Sequence, residues 1–94
     1  MENYRKKPVV IQAVQLSKTN WREIEALAPD KIHFLGNRTG PDKQDLDCVG
    51  LNILTLEGAL FCEIGDWVIR GLRGEYYSCK PDIFEKSYEH VEEV

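Results

Sequence analysis

Residues 64–84 read IGDWVIRGLRGEYYSCKPDIF. The dipeptide Gly65-Asp66 has the composition of a tight turn, and the four residues from Trp67 to Arg70 have that of an apolar strand. Residues 71–74 (Gly-Leu-Arg-Gly) form a glycine-bracketed loop, and residues 75–79 a second strand running back along the first. Positive φ is expected at Gly71 or Gly74, because a short loop needs a residue without a Cβ somewhere. Arg70 and Glu75 are expected to face each other at the mouth of this hairpin, as a cross-strand pair contributing at most ~1 kcal/mol. Pro81 suits the first position of a helical turn, in which Phe84 and Tyr88 stand four residues apart and stack toward the core.

The stretch before this hairpin repeats the same grammar. Residues 9–16 (VVIQAVQL) are rich in β-branched side chains on both alternating faces, which predicts a central strand entered at Pro8. Asn20 opens a helix, with Glu23 at the spacing of a capping box. Trp21, Ile24, Leu27 and Ala28 share one face of that helix, and Pro29 stops it. Residues 31–35 make a short strand with Ile32 and Phe34 on one side. Residues 36–50, rich in Gly and Asp, are expected to be one long polar loop. Residues 51–56 and 59–64 flank Glu57-Gly58 as a further hairpin, and the tail beyond Tyr88 could return as a last strand.

Together these readings predict one α+β domain over residues 1–94. It is a small, curved antiparallel sheet or partly open barrel of five to six strands, with one short helix packed on it and a C-terminal helical turn. At 94 residues the chain buries a modest core. A formal charge of −4 argues against a general nucleic-acid binder, which carries a basic surplus. Cys48, Cys62 and Cys79 are odd in number and form no Cys-x-x-Cys pair, a poor disulfide framework and a poor zinc site, so a reducing cytosol is the simplest setting. Gln12 and Gln15 interrupt the N-terminal apolar run, so neither a signal peptide nor a spanning helix is expected.

Chemistry is thinly marked. The histidines His33 and His90 and the three cysteines have no metal-ligand spacing. Asp42, Asp45 and Asp47 miss the alternation of a calcium loop, whose twelfth position would fall on Ile53. No phosphate loop is present, and no cofactor is implied. An enzyme would have to use Cys79, with Lys80 and a histidine assisting, or a carboxylate. A binding surface is better supported. Trp67, Arg70, Arg73, Tyr76, Tyr77 and Lys80 crowd into fourteen residues, and these are the residue types that dominate interface energetics. Trp67 is read as chiefly structural. Arg70, Arg73, Tyr76 and Lys80 are the expected site, with Tyr76, Ser78 and Lys80 on one strand face and Arg73 at the loop tip. Its partner would be a protein or a small anionic ligand.

Two blocks of the chain resemble a family of small proteins encoded by bacteriophages and prophages. One is residues 4–13 (YRKKPVVIQA), the other residues 65–71 (GDWVIRG) with 74–84 (GEYYSCKPDIF). Ser78 departs from the pattern, which is similar but has a proline there. The resemblance implies an accessory phage protein working in the cytoplasm of a bacterial host, and it brings no activity with it. A binding module is therefore the expectation, with a small enzyme and a virion structural or assembly protein as alternatives. A homo-oligomer is compatible with all three.

Overall fold

The computed structural model describes residues 1–5 and 7–91. Their order is β1 (Gln12–Gln15), α1 (Trp21–Leu27), β2 (Ile32–Thr39), a single 3-10 turn at Pro41–Lys43, β3 (Asp45–Thr55), β4 (Gly58–Glu63), β5 (Trp67–Arg70), β6 (Tyr76–Cys79) and α2 (Pro81–Ser87). The six strands form two three-stranded antiparallel sheets, β1-β5-β6 and β2-β3-β4, and no barrel closes.

Both sheets turn one face to a common core. Leu51, Ile53 and Cys62 enter it from the second sheet and Val68 from the first, while Leu16 and Ile24 fill the space between. α1 has only two turns and could not persist alone. Its apolar stripe explains why it is there: Ile24 is fully buried, and the Trp21 ring meets Phe34 of β2 edge-on at 5.7 Å. On the solvent side Arg22 lies over the Trp21 ring and pairs with Asp45 at 3.3 Å, tying α1 to the β2–β3 hairpin.

The first sheet is covered on its second face as well. Ile69 is fully buried yet stands apart from the common core. It shares its side of the sheet with Ala13, Trp67, Tyr77 and Cys79, by the pairings Ala13↔Ile69, Ile69↔Tyr77 and Trp67↔Cys79. α2 lies on that side. Its Phe84 ring stacks on Trp67, and Tyr88 stacks on Phe84 with centroids 4.9 Å apart, the four-residue spacing expected of a helix.

Four expectations are corrected. Residues 9–16 do not form a central strand: β1 is four residues long and lies at the edge of its sheet, and β5 is central. Residues 36–50 are no loop. β2 continues to Thr39 and β3 starts at Asp45, so a long hairpin replaces it, with Leu46 and Cys48 facing the core between exposed Asp45 and Asp47. A bulge between Leu35 and Gly36 lets the strand change step there. The capping box is absent. Asn20 instead accepts from the Ser17 N–H at 2.8 Å and donates to the Gln15 carbonyl at 2.6 Å, so its amide is spent on the chain that precedes the helix. Residues 88–91 form no strand, and the remainder of the tail, 92–94, lies outside the described residues.

The β5–β6 hairpin forms where the sequence predicts it, but with Arg70 opposite Tyr76 in place of Glu75. Gly74 has φ +82°, and the Gly71 and Gly74 amides bond to the Glu75 and Gly71 carbonyls, closing the loop.

Candidate functional site

The hairpin positions the four residues singled out above. Arg70 ends β5 opposite Tyr76 of β6. It is exposed, makes no ion pair among the described residues, and reaches a shallow cleft of about 420 Å³. Gln12 and Val14 of β1 and Glu23 and Leu27 of α1 line the same cleft. Arg73 is exposed at the loop tip, where its backbone N–H donates to the Glu75 carboxylate at 3.0 Å. Glu75 thus closes the loop and does not pair with Arg70, because the register places Tyr76 there.

Tyr76 turns inward. Its ring packs on the core and its hydroxyl donates to the Leu27 carbonyl at 3.3 Å, which joins β6 to the end of α1. Alternation therefore puts Tyr77 on the opposite side, beneath α2. Burial, and then a hydrogen bond to Tyr88, push the Tyr77 hydroxyl up to about 12.

Lys80 stands beyond the far end of the hairpin from Arg70 and is already engaged. Its ammonium donates to Glu63 at 2.9 Å and to Asp66 at 3.1 Å. Asp66 is buried to 3% exposure, and the same carboxylate oxygen accepts from the Glu63 N–H at 3.1 Å. With the Asp66 N–H bonded to the Glu63 carbonyl, this is a self-contained turn clamped by a lysine. The fold thus brings Arg70 and Tyr76 together but gives Tyr76 to the core, leaves Arg73 in solvent and commits Lys80 to a structural ion pair. The four do not line one concavity.

Another surface has the features that the sequence suggested for them. Trp67 and Phe84 stack with ring centroids 3.9 Å apart and planes 8° from parallel. Together with Tyr88 they form one side of an open groove of about 710 Å³. Residues 7–13 form another side, and residues 87–91 complete it. Val9 and Val10 within that segment are 43% and 72% exposed. Aromatic rings of this kind combine large apolar area with few rotatable bonds, which is the make-up of an interface hot spot. Reading the sequence missed this groove, since it pairs residues some sixty or seventy positions apart. Its walls come from the two ends of the chain, residues 7–13 and 84–91, with Trp67 of β5 between them.

Catalytic geometry is sparse. Cys79 donates weakly to the neighbouring Lys80 carbonyl at 3.6 Å, and no histidine hydrogen-bonds it among the described residues. Burial raises the Cys48 thiol, and burial followed by the Asp66 charge raises that of Cys62 to about 12. Both are core thiols that stay protonated and unreactive at neutral pH. No group of three or more His, Cys, Asp or Glu side chains that could hold a metal ion occurs among the described residues. No helix among the described residues is long and apolar enough to cross a membrane.

Comparison of the chain with family models, with curated proteins and with solved structures finds no match.

Proposed function

We propose that the protein is a non-enzymatic binding module that takes a segment of another protein into the groove between residues 7–13 and α2. The carrying observation is the Trp67–Phe84–Tyr88 stack at an open groove of about 710 Å³. A half-buried aromatic wall, beside exposed Val9 and Val10, leaves apolar surface that association would remove from water. The phage-type resemblance supports a setting in the bacterial cytoplasm and a host or phage protein as partner. It carries further weight because its two blocks meet at this one place.

Photo-crosslinking in bacterial cells tests the reading. A benzophenone amino acid at Ser87, on the groove wall, should give discrete covalent adducts with another protein. The same group at Leu56, fully exposed in the β3–β4 turn, should give none. Adducts from Leu56 alone, or no adduct from either position, would reject the groove as the contact surface.

A further inference from the structure

β1 is an edge strand, and the two concavities of the molecule both open along it. The Leu16 N–H donates to the Asp66 carbonyl at 2.8 Å, so Leu16 points its backbone groups toward β5. Backbone direction alternates along an antiparallel strand, so Val14 and Gln12 point the same way and pair with Val68 and Arg70. Ile11 and Ala13 then point their N–H and C=O groups away from the sheet, to the side where β1 has no strand partner among the described residues. Gln12 and Ala13 line the groove on the α2 side and also the cleft on the α1 side. A strand added to this edge turns alternate side chains into each. Residues opposite Ile11 and Ala13 face the aromatic stack, because Ala13 shares its side of the sheet with Trp67 and Tyr77. Residues opposite Gln12 and Val14 face the cleft. A helix pairs its interior backbone groups within itself, and a polyproline segment repeats every three residues, so neither matches an edge with this two-residue period.

The cleft carries opposite charges toward its two ends. α1 runs alongside β1: Asn20, just before its first turn, donates to the Gln15 carbonyl, and Leu27 at its far end accepts from Tyr76, the cross-strand partner of Arg70. Glu23 therefore stands toward the Val14 end of the cleft and Arg70 toward the Gln12 end. Both side chains are exposed, and neither makes an ion pair among the described residues.

We infer that the partner's segment enters as an added strand, antiparallel to β1. Its alternate residues are apolar and face the aromatic stack. Between them stand a basic residue opposite Val14 and, two positions later, an acidic residue opposite Gln12. Antiparallel pairing is the more stable of the two directions. The inference rests on the groove reading and specifies the chemistry of the segment that the groove takes. Main-chain bonds to Ile11 and Ala13 hold the segment, and the two charges set its register. A second copy of this chain does not answer them. Laid antiparallel along the edge, its residues 7–13 turn Pro8, Val10 and Gln12 to the cleft, a row without charge.

The probe is a synthetic heptapeptide, Thr-Val-Lys-Val-Glu-Val-Thr, capped at both ends, and its control is the same peptide with Lys and Glu exchanged. Amide hydrogen exchange of the full chain, read by NMR, should slow at Ala13 by about tenfold or more on saturation with the first peptide. The first peptide should bind about fivefold or more tightly than the second. The double variant Glu23→Lys with Arg70→Glu, at two exposed side chains, should invert that preference. An Ala13 amide that exchanges as before overturns the added strand, and so does equal binding of the two peptides. Slower exchange at Ala13 as the chain alone is concentrated gives the edge to a second copy and overturns the choice of occupant. Crosslinked adducts at Ser87 without protection of Ala13 remove the added strand and leave the groove reading standing, whereas absence of the Ser87 adducts removes both.

Discussion

The Trp67 indole lies flat on the Phe84 ring, 3.9 Å between centroids. That contact fastens α2 to the outer face of the first sheet, above fully buried Ile69. Trp67 is half-buried, so its truncation removes less apolar area than that of a core Trp. Trp67→Ala should cost about 2–4 kcal/mol, and Phe84→Ala a comparable amount, with the double variant falling well short of their sum because the two rings share one contact. Urea unfolding of the four proteins checks this. A Trp67→Ala protein that melts with the wild type would mean that α2 does not depend on the stack.

A glycine at a strand bulge and two glycines at hairpin turns should respond very differently to alanine. At Gly36, beside the β2 bulge, a Cβ would be driven into the Asp47 backbone carbonyl, which cannot move without breaking the β2–β3 ladder. At Gly58 and Gly74 there is open space around the added carbon, and only the positive φ resists it. Gly58→Ala and Gly74→Ala should each cost about 1–2 kcal/mol, while Gly36→Ala should cost more than either. Equal midpoints for all three in chemical denaturation would refute the assigned bulge.

Much of this architecture was legible because its signals are local. Glycine corners at 58, 65 and 74, the Pro81 start of α2 and the Pro29 stop of α1 each act within a few residues. The β2–β3 hairpin was hidden for a physical reason. Only Leu46 and Cys48 face the core in its outer half, and an edge hairpin with one wet face reads like a polar loop. The division into two sheets was equally invisible, since either arrangement gives the same alternation along each strand. The candidate site was half legible. Residue types near Trp67 suggested a binding surface, but which tyrosine turned inward depended on a one-residue parity that Tyr76-Tyr77 leaves open. Lys80 was misread because its partners, Glu63 and Asp66, come from a turn that only the fold brings beneath it.

The three cysteines should separate cleanly by reactivity. Cys48 and Cys62 are fully buried, with thiols held above their ordinary range, while Cys79 is half-buried on β6. Alkylation of the native protein at neutral pH should modify Cys79 alone, and all three only after unfolding. Mass spectrometry of peptides from a time course reads this directly. Modification of Cys62 as fast as Cys79 would contradict a closed core at β4.

Asp66 and Lys80 give the fold a dependence on alkaline pH. Hydrogen bonds to Glu63 first and to Asp66 second raise the Lys80 ammonium above its ordinary 10.5. The folded chain therefore holds that proton more tightly than the unfolded one. Its stabilising effect is full below the ordinary lysine range and is lost as pH rises through the raised folded value. Tyr77 and Cys62, raised by burial, lose stability in the same direction, so the wild-type slope alone does not isolate the lysine. Comparison with Lys80→Met does. The wild type should keep its advantage over Lys80→Met up to about pH 10, lose it as pH rises on through the raised folded value, and the two denaturation midpoints should converge there. Asp66→Ala should act at every pH, because it also strips the Glu63 N–H of its side-chain acceptor, at about 1–3 kcal/mol. An advantage of wild type over Lys80→Met that stays constant through that rise would show that the lysine contributes packing and not charge.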